Sequence, residues 1–187
     1  MTANELDNLR IELSIKAKNG IDFTLGAGII WFVIAYVYTL RFSSYDKSIL
    51  VFIVGAPLLP LAFLLSKIFR TNWKIAENPL QPLGLWLNFA QLIYFPFLIF
   101  TMIKMPDYFI MSYAIITGAH LFPYAWFYKT RWYAIFGGLI ALIVMIAALN
   151  LPNEKMYLIA IITGSLLFLL TLFLYADAIK KLKDNPS

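Results

Sequence analysis

The stretch IITGAHLFPYAWFY, residues 115–128, decides how the rest of the chain is read. It is apolar almost throughout, yet it carries His120, the only histidine of the protein, three residues before Pro123. Taken as a helix rising 1.5 Å per residue, it sets His120 about 13 Å inward from Lys129, the first cation beyond it. A polar ring that deep in an apolar helix points to a bilayer around the helix and to protein or water beside the ring. The stretch is echoed around Gly55 (IVGAPLLPLAF, residues 53–63) and around Gly164 (IITGSLLFLL, residues 161–170). Aligned on the glycines, Ala56, Leu58, Pro60 and Ala62 match Ala119, Leu121, Pro123 and Ala125. The third copy keeps the Ile-Ile-Thr-Gly entry and loses both the histidine and the proline.

Composition agrees with a membrane setting. Of 187 residues 61% are hydrophobic and 13% charged, too much apolar surface for a soluble domain to hide and too little charge for a disordered chain. There is no cysteine, which removes disulfides, thiolate metal sites and cysteine nucleophiles. The net charge of +5 comes from residues between apolar runs, so it reads as a topology signal and not as a nucleic-acid surface. No basic start, apolar core and small-residue cleavage site marks a signal peptide at the N-terminus.

Six runs are long enough to cross a ~30 Å core, near residues 22–41, 48–67, 83–103, 108–128, 132–150 and 156–177. The expected architecture is an all-α membrane protein, a single integral domain over residues 1–187. Arg10, Lys16, Lys18, Lys67, Arg70, Lys74, Lys129, Arg131, Lys180, Lys181 and Lys183 fall on one side, and Arg41, Lys47, Lys104 and Lys155 on the other. This excess puts both termini in the cytoplasm. The three echoes then lie on spans two, four and six, all running inward, so the spans read as three tandem helical hairpins in parallel orientation. Inverted repeats, the usual device of secondary transporters, are a different arrangement.

Residues 3–19 precede the spans. Leu6, Leu9, Leu13 and Ala17 have helical spacing, which predicts an amphipathic helix on the membrane surface ending at Gly20. The same segment alternates from Leu9 to Lys18 as a strand would, but a lone strand beside helices has no pairing partner. The longest connection, residues 70–82, turns at Asn78-Pro79 and sets Pro82 in the first turn of span three. Trp31, Trp73, Trp86, Trp126 and Trp132 sit mostly near expected span ends, as interfacial anchors do.

Candidate site residues gather in spans three and four. Thr117, His120, Tyr124 and Tyr128 fall on one helical stripe, and Pro123 leaves the Ala119 carbonyl without a donor and bends the helix. Asn88 and Gln91 are one turn apart on span three, and Gln91 lies at nearly the depth of His120. In span two, Pro57 and Pro60 free the carbonyls of Ile53 and Ala56. Broken backbone and polar groups at such depth line a cavity or are buried in protein. Glu77, in the long loop, is the carboxylate available to pair with Arg70 or to reach His120, and Asp177 is expected to pair with Lys180 or Lys181 one turn on. Each polar residue also has a plainer reading, with His120 as a packing histidine, the amides as interhelical glue and Glu77 as a solvated charge.

Metal and cofactor sites are not expected. A single histidine, no phosphate-binding loop and no nucleophile elbow leave no familiar constellation. The convergence of Asn88, Gln91, His120, Tyr124 and Thr117 suggests a transporter or permease for a small solute, with a polar cavity open to the cytoplasm. The alternatives are a membrane enzyme acting on a lipid or lipophilic molecule, with His120 as base and Glu77 orienting it, and a non-catalytic scaffold or sensor. The bilayer is the expected partner, with a small molecule or lipid as ligand and no nucleic acid.

Three stretches resemble an uncharacterised family of small bacterial six-span membrane proteins. They are Leu9-Arg10-Ile11-Glu12-Leu13-Ser14, Glu77-Asn78-Pro79-Leu80 with Pro82-Leu83-Gly84, and Gly118-Ala119-His120-Leu121 with Pro123-Tyr124, Trp126 and Tyr128. The resemblance implies a bacterial inner-membrane location over nearly the whole chain and no activity.

Overall fold

The computed structural model describes residues 2–185, and among them every regular element is helical. Helix α1 (Ala3–Lys16) opens on a capping box, in which the Glu5 N–H donates to Thr2 Oγ1 at 3.3 Å and the Thr2 N–H to the Glu5 carboxylate at 2.7 Å. Two donors that a helix start leaves open are thereby satisfied. The alternation from Leu9 to Lys18 forms no strand. Lys18, Asn19 and Gly20 then turn the chain with φ of 46°, 56° and 71°. Glycine is required at the last of these because a Cβ there would also lie 3.2 Å from the Tyr128 hydroxyl.

The apolar runs follow, several of them interrupted. Helix α2 (Ile21–Thr39) is continuous. Helices α3 (Ser44–Gly55) and α4 (Leu58–Phe69) part at Ala56-Pro57, whereas Pro60 lies in the first turn of α4, where its missing N–H costs nothing. Helix α5 (Gln81–Ala90) passes through a 3₁₀ turn at Gln91–Tyr94 into α6 (Phe95–Lys104), and Pro96 accounts for that break. Helix α7 (Phe109–Leu121) and the single turn α8 (Tyr124–Phe127) are separated by Phe122-Pro123. Helices α9 (Trp132–Asn150) and α10 (Tyr157–Asp184) complete the chain.

Five stretches are long and apolar enough to cross a membrane, namely Lys18–Thr39, Ser44–Phe69, Gln81–Lys104, Trp132–Asn150 and Asn153–Asp184. The expected fourth span is the exception: α7 has 13 residues, about 20 Å, before the proline turn breaks it. The last helix also runs past the expected end at residue 177, to Asp184.

Close helix crossings depend on glycine. A Cβ on Gly118 would lie 2.7 Å from the Gly137 carbonyl oxygen, and one on Gly137 2.6 Å from that of Gly118, so α7 and α9 meet backbone to backbone. Gly28 and Gly164 join α2 to α10 in the same way, with Phe168 and Phe32 folded over them. Two of the three echoed glycines, Gly118 and Gly164, are thus crossing points. Both crossings join helices from different expected hairpins. Trp31, expected near an interface, is instead 2% exposed in the core, stacked on Tyr113 at 5.2 Å.

Candidate functional site

The sequence sets a polar stripe on each side of one antiparallel contact. On α5 and the turn after it, Gly84, Asn88 and Gln91 recur at helical spacing. Facing them are Phe127, Tyr124 and His120, read in the opposite direction. Gly84 leaves room for the Phe127 ring, which would come within 3.0 Å of a Cβ. One turn deeper, Tyr124 Oη donates to Asn88 Oδ1 at 2.8 Å. The 3₁₀ turn that carries Gln91 packs on α7, the helix that carries His120.

Among the described residues neither the His120 ring nor the Gln91 amide has a hydrogen-bond partner, and both are half-buried. His120 stands edge-on to Tyr124 at 5.5 Å, and Tyr124 stacks on Tyr128 at 6.1 Å and tilts against Tyr133 at 5.5 Å, so the stripe read from sequence survives the proline turn as a row of rings. Thr117 does not join the site: it is buried and donates to the Tyr113 carbonyl of its own helix at 2.9 Å. Asn88 is exposed, so the Tyr124–Asn88 contact lies at the outer side of α5. No Asp, Glu, Lys or Arg occurs in residues 81–103 or 108–128.

Glu77 is exposed, and the cation its charge acts on is Lys16. Two surface depressions lie away from His120, one lined by Glu5, Asn8, Leu9 and Glu12 and the other by Phe42, Asp46, Ile49 and Leu50. Among the described residues no group of three or more His, Asp or Glu side chains gathers where a metal ion could sit.

A second polar cluster, at the end of the bundle that carries α1, is not marked by sequence spacing. Asp22 is 1% exposed in the first turn of α2 and accepts from Thr71 Oγ1 at 2.8 Å and from the Trp73 indole. Asn19 is fully buried, donating to the Leu174 carbonyl at 2.9 Å and to Asp177 at 3.0 Å, while its own carbonyl accepts from Tyr133 Oη at 2.6 Å. Lys181 pairs with Asp177 at 2.6 Å, the partner its i,i+4 spacing allows, and donates to Ser14 Oγ and the Tyr128 carbonyl, both at 2.9 Å. The one local signal was a carboxylate in the first turn of an apolar helix, which needs donors if it is buried.

Helices of this length and apolarity, with polar groups collected at one end and along one helix contact, define a multi-helix protein compatible with a membrane. Residues 6–177 match a family of unknown function (DUF7010), and the chain belongs to that family. No curated protein and no solved structure matches it.

Proposed function

We propose that this protein crosses the bacterial inner membrane six times with both termini in the cytoplasm, and that it acts as a permease for a small, neutral, hydrogen-bonding solute. The observation that carries the reading is the Tyr124–Asn88 hydrogen bond of 2.8 Å between two interrupted helices, with His120 and Gln91 unpartnered one turn deeper. Interrupted helices at membrane depth are tolerated where they line a polar cavity, and solute sites of secondary transporters are built from them. An amide and an imidazole left without partners in hydrocarbon would cost several kcal/mol, roughly, so water or a ligand satisfies them. With no ionised side chain on either stripe, a charged ligand would have no counter-ion, which favours a neutral one carrying a donor and an acceptor. The six-span topology draws support from the eleven cations at one end against four at the other. It requires α7, the proline turn and α8 to cross together.

A lipophilic ligand entering sideways is the second reading, favoured by the exposure of Trp86 and Phe89 beside Asn88. Catalysis by His120 has less support, since among the described residues no carboxylate bonds to it.

The absence of native cysteine makes the test direct. In inside-out vesicles Asn88→Cys should react with a charged thiol reagent, while Leu121→Cys, which is buried, and Ile93→Cys, 77% exposed but on the apolar flank, should not. Asn88→Cys as inert as Ile93→Cys would end the solute reading. Reaction with a membrane-permeant reagent alone would favour the lipophilic ligand.

A further inference from the structure

The two helices joined by the Tyr124–Asn88 bond are also tied to each other at one end by α1. Asp7 and Arg10, one turn apart, hold the chain at the end of α8: the Asp7 carboxylate pairs with Lys129 at 2.7 Å, and Arg10 Nε donates to the Trp126 carbonyl at 2.6 Å with its guanidinium 4.7 Å above the Trp126 ring. Leu9 and Glu12, also one turn apart, hold the chain at the start of α5, where Asn78 Nδ2 donates to the Leu9 carbonyl at 2.9 Å and to Glu12 at 2.7 Å. Asn78 in turn starts α5, its Oδ1 accepting from the Leu80 N–H and its carbonyl from the Gln81 N–H, both at 3.0 Å. The two gripping pairs are offset by two residues, about 200° around a helix, so they act from opposite flanks of α1. The same helix thus bonds both to the end of α8 and to the turn before α5, while its body packs on α10.

The root and tip of α1 are built differently. Leu13 and Ser14 are buried, Lys181 donates to Ser14, and Ser14 to Asn19 at 2.6 Å. Beyond them the three positive-φ residues Lys18, Asn19 and Gly20 join this root to α2. Residues 2–5 are exposed, and the ion pairs that hold the forward half are between partly exposed side chains. Contacts of that kind are weak singly and are exchanged for water at small cost. The grip on α8 is thus the light one, whereas the grip on α5 is made by the buried Asn78 amide, so α8 is the side that lets go first.

We propose that α1 is a clasp across one end of the α5–α8 contact, and that releasing its forward half lets α5 and α8 separate and opens the way to Gln91 and His120. That this opening admits a solute rests on the function proposed above, whereas the coupling of α5 to α8 through α1 does not.

The test is charge reversal with rescue, read by hydrogen exchange on the full chain in lipid nanodiscs. Asp7→Lys sets a cation against Lys129 and Arg10. Backbone exchange should rise about two- to five-fold, the size set by losing weak ion pairs, in residues 81–87 and also in 124–130. The mid-helix amides of α2 and α10 should not change. Adding Lys129→Asp restores an opposed pair and should return both segments toward the parent rate. The clasp is overturned if only residues 3–10 speed up, if the second substitution rescues nothing, or if α2 and α10 loosen equally, which would make α1 part of the core. Inert Asn88→Cys in the parent chain would sink the permease and leave these outcomes intact. Gln91→Cys that reacts at the same rate with and without Asp7→Lys would sink the clasp alone.

Discussion

The α2–α10 pair and the third apolar stretch, Gln81–Lys104, are alike in composition and opposite in packing. Lys18–Thr39 and Gln81–Lys104 have closely similar mean hydropathy. Yet Ile34, Leu167, Leu170 and Leu174 in the pair have no exposure, whereas Leu85, Trp86 and Ile93 in the third stretch are 55%, 69% and 77% exposed. The difference lies in the small residues. Gly28 and Gly164 let two backbones approach, while the third stretch has one glycine, Gly84, and uses it to receive the Phe127 ring. Apolarity suits a helix to lipid; small residues decide which helix it packs against. Its first half, α5, buries no side chain and is held by particular contacts such as Tyr124 with Asn88 and the Asn78 turn, while its second half, α6, packs on α7 and α3 with Leu98 at no exposure.

Steric damage at a close crossing should separate the two regions most. Gly118→Val forces a Cβ to within 2.7 Å of the Gly137 carbonyl oxygen, and overpacking against backbone should cost about 3 kcal/mol. Ile93→Ala on the third stretch should stay within about 0.5 kcal/mol of the parent. Thermal unfolding in nanodiscs checks both, and equal losses would erase the contrast.

A smaller effect is expected where the third stretch is fastened. Tyr124→Phe and Asn88→Ala should each lower stability by about 1 kcal/mol, and the double variant should lose little more than either alone. Additive losses in that cycle would mean that the 2.8 Å bond does not hold α5 in place.

Acid should give the smallest effect, confined to the fastening. The Lys129 ammonium bonded to Asp7 holds its carboxyl below the ordinary 3.8, and the Lys16 ammonium, with the Asn78 amide adding, holds Glu12 below the ordinary 4.5. Both titrate lower folded than unfolded, so their contribution is complete above the ordinary values and is lost as pH falls through the lowered ones. Exchange of the α1 amides, corrected for its intrinsic pH dependence, should therefore rise only below about pH 4. A rise between pH 6 and 7 would point to a different group.

The sequence carried its local signals well. Pro123 and Pro57 mark real breaks, Pro82 stands in the first turn of α5, Asp177 meets Lys181, and the His120–Tyr124–Tyr128 stripe persists. All are set within one or two turns of chain, by a missing N–H or by helical periodicity. Pro96 offered the same kind of signal for the break after Gln91. The contacts that spacing could not reveal are those made across the chain. Arg10 reaches Trp126, Asp7 reaches Lys129, Asn19 reaches Asp177, and the glycine of one echo meets Gly137 while that of another meets Gly28. Trp31, at the middle of the first expected span, lies in the core stacked on Tyr113 of α7, a partner that spacing alone did not name.

Length, apolarity and proline thus determined by themselves that the chain forms long apolar helices and where they break, because each depends only on the peptide and its nearest neighbours. Which helices cross, what α1 holds together and that Asn88 finds Tyr124 were decided by the tertiary structure. Those outcomes depend on how closely two distant backbones can approach and on which buried donor finds an acceptor.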